Sequence, residues 1–428
     1  MSKSRDVFIV DGKRTPFLKA KGKPGPFLAS DLAVSAARPL LLQSPFDLSA
    51  LDEVIVGCVM PTADEANIAR IIALRLGIPN SVPAWTVQRN CASGMQALDC
   101  AYQNIQTGKA NLILAGGTES MSHAPIIYNN LMVNWLSEFM ATKTLGQKLS
   151  ALSRLRPIHL KPIIALVRGL SDPIVGLSMG QTTEEIAYRF GINREQMDEY
   201  AVASHQRLGE ATDQGHLHEI EAIYDNAGTY FDVDDGIRRD SSTPNLAKLK
   251  PYFDRKYGMV TPGNSAQITD GAAMLILASK EAVKKHKLPV LAKITDSQWA
   301  GLDPSQMGLG PAHAMAPLLE RNKLNINNID NWEINEAFAG QVLGCLEAWK
   351  DTDYCQQELG LKNALGEIPH DKLNIDGGGV SLGHPVGASG ARIVLHCANT
   401  LKRLKGKRGI ASLCIGGGQG GAMMIERP

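Results

Sequence analysis

The sequence predicts an α/β protein made of two similar halves, with a mainly helical lobe inserted into the first. Three observations predict it. Strand-like apolar runs alternate with helical patterns at both ends of the chain, which is the α/β order. A small-residue turn that opens a helix and leads on to a strand occurs twice. Between the two copies, residues 122–251 carry few strand signals and read as helices.

Along the chain, VFIV at 7–10, DEVIVGCV at 52–59 and NLILAGG at 111–117 are the strands of the first half, and the pattern predicts a helix over about Ser93–Gln106. In the lobe, MGQTTEEIAYRF and REQMDEYAVASHQRLGEAT read as amphipathic helices, with Thr182 or Thr183 the expected cap of the first. MLILAS, PVLAKITDSQWA, NWEINEAF and GIASLCIGGGQGGAMMIE then restore the strand signals. The repeat pairs CASG, a helix ending near QTGK and NLILAGG with GASG at 387–390, a helix ending near LKGK and GIASLCIGG. Both strands end alike, at Ala115-Gly116-Gly117 and Ile415-Gly416-Gly417, the pattern a duplication leaves. The domain reading is 1–121 continued at 252–278, a lobe at 122–251, and 279–428.

With 428 residues the chain exceeds the size at which one core stops growing, so more than one domain is expected. The 44 Lys+Arg and 43 Asp+Glu leave a formal charge of +1, which argues against a whole-protein grip on nucleic acid. Any anionic ligand must be held locally. The start, MSKSRDVFIVDGKRTPF, has a short apolar run ended by Asp11 and no small-residue cleavage site, so it does not read as a signal peptide. No stretch approaches the roughly 18 apolar residues that span a bilayer. Seven cysteines, scattered and without CxxC spacing, point to neither a disulfide framework nor a zinc site. A reducing, cytoplasm-like compartment follows, with most of these thiols as small core residues.

Four stretches could carry chemistry. In QRNCASGMQA, Cys91 stands just before the predicted helix, where unpaired N–H groups and the dipole favour a thiolate; it is either a nucleophile or a small buried filler. In GGGVSLGHPVGASG, residues 377–390, glycines let the backbone pass close to a ligand and Pro385 stiffens the chain after His384. His384 presents a ring nitrogen there or is a turn histidine. In SLCIGGGQGG, residues 412–421, Cys414 closes a strand before a glycine loop. Gly416, Gly418 and Gly421 match GxGxxG formally, but AMMIERP follows and no helix opens to receive a pyrophosphate, so the dinucleotide reading fails. In NWEINEAFAG, Asn335 and Glu336 sit at a strand-to-helix junction, able to orient a water or an imidazole, or to cap the helix.

Together, N-C-A-S-G, N-E-A-F, G-H-P-x-G-x-S-G and C-x-G-G-G, in that order, closely resemble the thiolase family. RTPF near the start, GGTESMSHAP at 116–125 and VTPGNSAQITDGAA at 260–273 add to the resemblance, which covers essentially the whole chain. It implies the thiolase fold: two α/β halves, each a mixed five-stranded sheet with helices on both faces, in five layers (αβαβα) that share a central helical layer. The 122–251 lobe becomes the loop domain that binds coenzyme A.

The resemblance also implies roles. Cys91 attacks the keto carbon of a 3-ketoacyl-CoA and keeps the acyl chain as a thioester; His384 deprotonates Cys91 and then donates to the thioester oxygen. Cys414 protonates the departing acetyl-CoA carbanion and deprotonates the incoming coenzyme A thiol. Expelling an enolate requires donors about 2.7–3.1 Å from the oxygen that gathers charge. The N–H groups of Cys91 and Gly416 form one such hole, and His384 with a water on Asn335 the other. A thiol suits the second acid/base role because its free pKa, roughly 8.5, lies near working pH. Coenzyme A is a substrate, and no metal or redox cofactor is needed. Its contacts fall at Met179, Ser265 and Ala266, with two departures: Ser178 replaces a histidine often found before Met-Gly, and Ala266 stands where a serine commonly touches the pantetheine arm.

Residues 126–172 carry Lys143, Lys148, Arg154, Arg156, Lys161 and Arg168 against Glu138 and Asp172, interleaved with Trp135, Phe139 and many aliphatics. Such a basic amphipathic stretch lies on an anionic membrane face, docks a partner helix, or simply covers the acyl site with its lysines solvated. With SRLR at 153–156, it looks most like thiolases of long-chain fatty-acid oxidation complexes, which pair with a hydratase/dehydrogenase alpha subunit. The implied activity is cleavage of medium- to long-chain 3-ketoacyl-CoA in β-oxidation, by a cytoplasmic homodimer or homotetramer, peripheral to the membrane if the stretch binds lipid. Acetoacetyl-CoA synthesis by a biosynthetic thiolase is the alternative reaction, and a thiolase-fold lipid carrier the non-enzymatic one.

Overall fold

The computed structural model describes residues 5–428. Residues 1–4, the first part of the stretch read for a signal peptide, lie outside it. Nine strands form the body of one mixed sheet: β1 (Val7–Arg14), β2 (Glu53–Gly57), β3 (Ala84–Val87), β4 (Leu112–Ser120), β5 (Thr269–Ser279), β6 (Ala292–Gly301), β7 (Asn331–Ile334), β8 (Arg408–Ile415) and β9 (Gln419–Glu426). Their order is β7-β8-β9-β6-β1-β5-β4-β2-β3, with the short strand Leu18–Lys19 beside β5. Parallel pairs lie near the two outer edges, β2 with β3 and β4, and β7 with β8.

The first half supplies the expected five strands; among the described residues the second supplies four, with its fifth, edge position reduced to one parallel bridge between Trp332 and Leu373. The two expected sheets also touch, because Val7–Ile9 of β1 pairs with residues 292–294 of β6. So short a seam leaves no signal in either strand alone, since register is a property of the pair.

Alternation within strands builds the layers. In β4, Leu112 and Leu114 face one cluster with the outer helices Ala29–Leu42 and Ile68–Arg75, while Ile113 and Ala115 face another. That second cluster is the molecule's centre. It holds two helices, α1 (Ser93–Gln106) and α2 (Val386–Leu404), packed between inward faces of both halves. Residues 386–401 of α2 are buried without a break, as for a helix covered on all sides. In the second half, Trp332, Ile334, Ile410, Ala422 and Met424 face the outer helices Gly310–Arg321 and Ala339–Lys350. The predicted turn–helix–strand repeat is thus α1 followed by β4, and α2 followed by β8.

The N-termini of α1 and α2 come very close. A Cβ at Gly94 would lie 2.7 Å from the Gly387 carbonyl oxygen, and one at Gly117 would lie 2.0 Å from it, so side chains there would drive the helices apart. This approach sets Cys91, three residues before Gly94, near the segment that carries His384.

The lobe has two textures. Helices Met179–Phe190 and Arg194–Asp213 pack into the second half, with Ile186 against Leu309 and Val342, and Met197 against Ala339. Ser178, not Thr182 or Thr183, caps the first: Ser178 and Gln181 form a reciprocal capping box, while both threonines lie inside and donate to Met179 O. The stretch 126–172 folds as a two-stranded ribbon, Ile126–Tyr128 with Pro162–Ile164, carrying helices Asn130–Ala141 and Leu145–Ser153. Much of its apolar surface faces outward: Ile126, Tyr128, Met140, Leu145 and Val167 are all exposed.

Candidate active site

Cys91 lies at the tight turn before α1, half-buried. Ser93 locks that turn, its hydroxyl donating to Asn90 O at 2.7 Å and accepting from Arg89 N at 2.9 Å. Burial pushes the Cys91 thiol up; the backbone N–H groups of Gly416 and of Cys91 itself pull it back only in part, and the carboxylate of Glu119 adds to the rise. The helix start therefore does not by itself make a thiolate, and a base is required.

His384 can supply it. The ring is buried, and burial, with the charge of Arg392 second, lowers its pKa to about 4, so it is neutral at working pH. Nδ1 lies 2.6 Å from Ser389 Oγ, and Ser389 gives its own proton to Pro385 O at 3.1 Å. The hydroxyl must then accept from Nδ1–H, which fixes the tautomer and leaves Nε2 as the lone pair. Among the described residues Nε2 has no hydrogen-bond partner.

Asn335 follows β7, with its N–H on Ser412 O at 2.9 Å. Its Nδ2 is 3.4 Å from His384 Nδ1, and its buried Oδ1 has no partner. Glu336 turns the other way: its carboxylate accepts from Ser204 Oγ (2.6 Å), Tyr200 OH (3.0 Å), Asn374 Nδ2 (3.0 Å) and Val380 N (3.2 Å). It fastens the Asn335 turn to the lobe and to the segment before His384.

Cys414 ends β8 fully buried, close enough to Cys91 for the two thiols to influence each other. Burial, with the charge of Cys91 second, pushes its pKa well above that of an ordinary thiol. The expectation of a thiol titrating near working pH is thus corrected: Cys414 rests as a proton donor. Residues 416–418 form a hairpin turn into β9, with Gly417 and Gly418 at positive φ (92° and 75°), so a strand follows where a dinucleotide site needs a helix.

Met179 sits over this turn, its Sδ 3.2 Å from where a Gly416 Cβ would be, and clusters with Cys414, Ala337 and Phe338. Ser265 and Ala266 pair with the same Ala337–Phe338 turn, Ala266 N donating to Ala337 O at 2.9 Å. The Ser265 hydroxyl donates to Thr261 O at 2.7 Å, which leaves it only acceptor capacity toward a ligand. All eight sequence-derived site residues therefore belong to a connected set of segments.

Two further residues join them. Ser389 was visible only as the serine of GASG. Glu119, inside GGTES, is a buried carboxylate that accepts from Val59 N (2.9 Å), Met60 N (3.0 Å) and Gly387 N (3.0 Å). Burial raises it to about 7 against those donors. It ties the end of β2 to the start of α2.

Residues 7–281 match the model described as "Thiolase, N-terminal domain" and residues 288–427 the one described as "Thiolase, C-terminal domain". The chain is 37% identical to the "Trifunctional enzyme subunit beta, mitochondrial" of Bos taurus, over 99% of this chain and 88% of that protein. Among solved structures, human mitochondrial 3-ketoacyl-CoA thiolase in complex with CoA superposes with a TM-score of 0.84 at 36% identity, covering 99% of this chain and 98% of that one. Acetyl-CoA acetyltransferase from Syntrophomonas wolfei superposes with a TM-score of 0.86 at 33% identity, covering 99% and 100%.

Proposed function

The chain belongs to the thiolase family and is an acyltransferase of fatty-acid β-oxidation, and from that premise we propose how its residues divide the reaction. The His384 Nε2 lone pair takes the proton of Cys91 as Sγ adds to the keto carbon of a 3-ketoacyl-CoA. The carbonyl oxygen that becomes an oxyanion is met by the new Nε2–H or by the N–H groups of Cys91 and Gly416. As that carbonyl re-forms, the carbon–carbon bond breaks, the Cys414 thiol protonates the acetyl-CoA carbanion, and the acyl group stays on Cys91. Coenzyme A, deprotonated by the Cys414 thiolate, then attacks the thioester; Cys91 leaves as a thiolate and takes its proton back from His384, and the shortened acyl-CoA is released. The observation that carries this reading is the hydrogen bond from Asn90 Nδ2 to the carbonyl oxygen of Gly416 at 2.8 Å, which joins the glycine loop of one half to the nucleophile turn of the other.

Coenzyme A enters as a substrate along Met179, Ser265 and Ala266. Medium- to long-chain substrates are favoured by the 126–172 stretch and by the kind of relative it resembles. The exposed apolar side chains of that stretch, beside six cations and one surface acid already paired (Arg154–Glu138, 3.4 Å), support a peripheral seat on an anionic membrane face. A hydratase/dehydrogenase alpha subunit is the partner that the bovine relative's name supports. Self-association as a homodimer or homotetramer is supported by edge strand β3, which has one neighbour in the sheet and only half-buried side chains. A cytoplasmic location is supported by seven free cysteines. Among the described residues no helix is long and apolar enough to cross a membrane.

Coenzyme A-dependent cleavage of 3-ketoacyl-CoAs of four and sixteen carbons, beside a Cys91→Ala control, tests the reading. Faster turnover of the long substrate, lost in the variant, is expected. Turnover of the short one alone transfers the protein to the acetoacetyl-CoA reaction of a biosynthetic thiolase.

A further inference from the structure

Asn90, the residue before the nucleophile, has a left-handed backbone, φ 44°. Of the other four positive-φ residues that are not glycine, Lys287 and Lys405 end helices, Lys323 follows the helix Gly310–Arg321, and Asn374 turns the chain beside Glu336. Among the described residues only Asn90 takes this conformation directly beside the proposed nucleophile. Left-handed backbone is unfavourable for a residue with a Cβ, less so for asparagine, and it persists where the surroundings hold it.

What holds it is a contact across the two halves. Asn90 Nδ2 donates to the carbonyl oxygen of Gly416 at 2.8 Å. The backbone N–H of Gly416 in turn favours the charged form of the Cys91 thiol. The Asn90 amide thus holds the carbonyl of the same glycine whose N–H acts on the neighbouring thiol. The two sides differ in stiffness. Ser93 locks the Asn90 carbonyl and the Arg89 N–H, whereas Gly416 opens a turn that continues through two positive-φ glycines. Two contacts hold that turn: Leu302 N donates to the Gly418 carbonyl at 2.8 Å, and Asn90 holds the carbonyl of Gly416, the residue next to the thiol.

We propose that Asn90 is a positioning residue: its amide anchors Gly416 so that the Gly416 N–H stays aimed at the oxygen that gathers charge when Cys91 adds to a carbonyl. The inference rests on Cys91 being the nucleophile, and it deepens that reading by naming what fixes the donor. A purely conformational role predicts otherwise, because glycine takes the same φ without the amide.

Two variants separate these roles. Asn90→Gly keeps the backbone and removes the donor; Asn90→Asp keeps tolerance of the left-handed region but cannot donate. Two readouts are taken: kcat and KM for 3-ketoacyl-CoA thiolysis, and the pH midpoint of Cys91 alkylation by iodoacetamide, followed on the Cys91 peptide by mass spectrometry. Removing an oxyanion donor outright costs roughly 100–1,000-fold in kcat, so loosening one is expected to cost about 10–100-fold in both variants, with KM within about two-fold. The alkylation midpoint of Asn90→Gly rises, because Sγ loses a steady donor while His384, Glu119 and Cys414 around it are unchanged. Asn90→Gly within about two-fold of the parent in kcat overturns the proposal. So does a fall in kcat with an unmoved alkylation midpoint, which assigns Asn90 to the backbone alone. A parent protein that turned over no 3-ketoacyl-CoA would sink the functional reading instead, and the alkylation midpoint would still report on the contact.

Discussion

Ser389→Ala is the sharpest test of how the base is held. The hydroxyl is fully buried, and its oxygen is the close acceptor, at 2.6 Å, for His384 Nδ1–H. Deleting it leaves a buried donor unsatisfied, at a cost of about 1–3 kcal/mol. The cost falls on one tautomer only, because a ring protonated at Nε2 needs no acceptor at Nδ1. At 1.4 kcal/mol per factor of ten, the Nδ1–H tautomer loses about 5–150-fold in population relative to the other. Only that tautomer leaves Nε2 free to take the Cys91 proton, so the acylation rate should fall by a similar factor. The assay is the first-turnover release of acetyl-CoA from a 3-ketoacyl-CoA, before coenzyme A is added. Ser389→Cys, with a weaker acceptor in the same place, should fall between parent and alanine. One residue could spoil the reasoning: Asn335 lies 3.4 Å away, and its Oδ1 is unpartnered, so a turned amide could accept the proton in place of Ser389. If Ser389→Ala acylates within two-fold of the parent, the tautomer argument is wrong and the hydroxyl merely fills space.

Cys414→Ala should still acylate from a reactive acyl donor but lose proton exchange at the methyl of acetyl-CoA; rapid exchange in that variant contradicts the division of labour between the thiols. His396 lies between Glu219 (2.8 Å) and Asp376 (3.1 Å), with Arg14, Glu333, Thr400 and Arg403 around them. Although burial opposes it, the charge of Glu219 and the hydrogen bond to Asp376 raise His396 from 6.5 to about 10. A raised folded pKa stabilises fully below the unfolded value and is lost as pH climbs to the folded one. The urea midpoint should therefore fall between pH 7 and 10, and His396→Gln should be less stable at pH 7 and lack that part of the slope; parallel curves refute the assignment. Deleting residues 130–160 should release the protein from anionic vesicles while leaving turnover of a short substrate within a few-fold; unchanged vesicle binding removes the membrane reading.

How much was legible in the sequence follows from how local each signal is. The helix Ser93–Gln106 and the lobe helices Met179–Phe190 and Arg194–Asp213 fall where spacing put them, because a helix is written in its own residues. The cap of the second is Ser178, in capping-box spacing with Gln181; Thr182 and Thr183 carry the same capping chemistry a few residues on, so residue type alone does not choose among them. Contacts that join distant segments left no mark. Glu119 reaches Gly387 across 268 positions and Asn90 reaches Gly416 across 326. Neither residue type nor neighbourhood announces such a partner. Nor could the state of Cys414 be read, since an unfolded thiol titrates near the ordinary value and only enclosure drives it upward.

Enclosure also unifies the site. It raises both thiols and lowers His384, so all three groups rest uncharged. A preformed thiolate–imidazolium pair would need solvation that a buried pocket does not give. Charge instead appears with the reaction, when the proton leaves Cys91 and the carbonyl oxygen becomes negative. At that moment the fixed N–H groups of Cys91 and Gly416 act across a low-dielectric gap, where each is worth more than in water. The same burial that makes Cys91 a poor thiolate at rest thus makes its surroundings effective once attack begins. It also explains why so much of the molecule, from the glycines that let α1 and α2 touch to the carboxylates of Glu119 and Glu336, is devoted to holding backbone donors still.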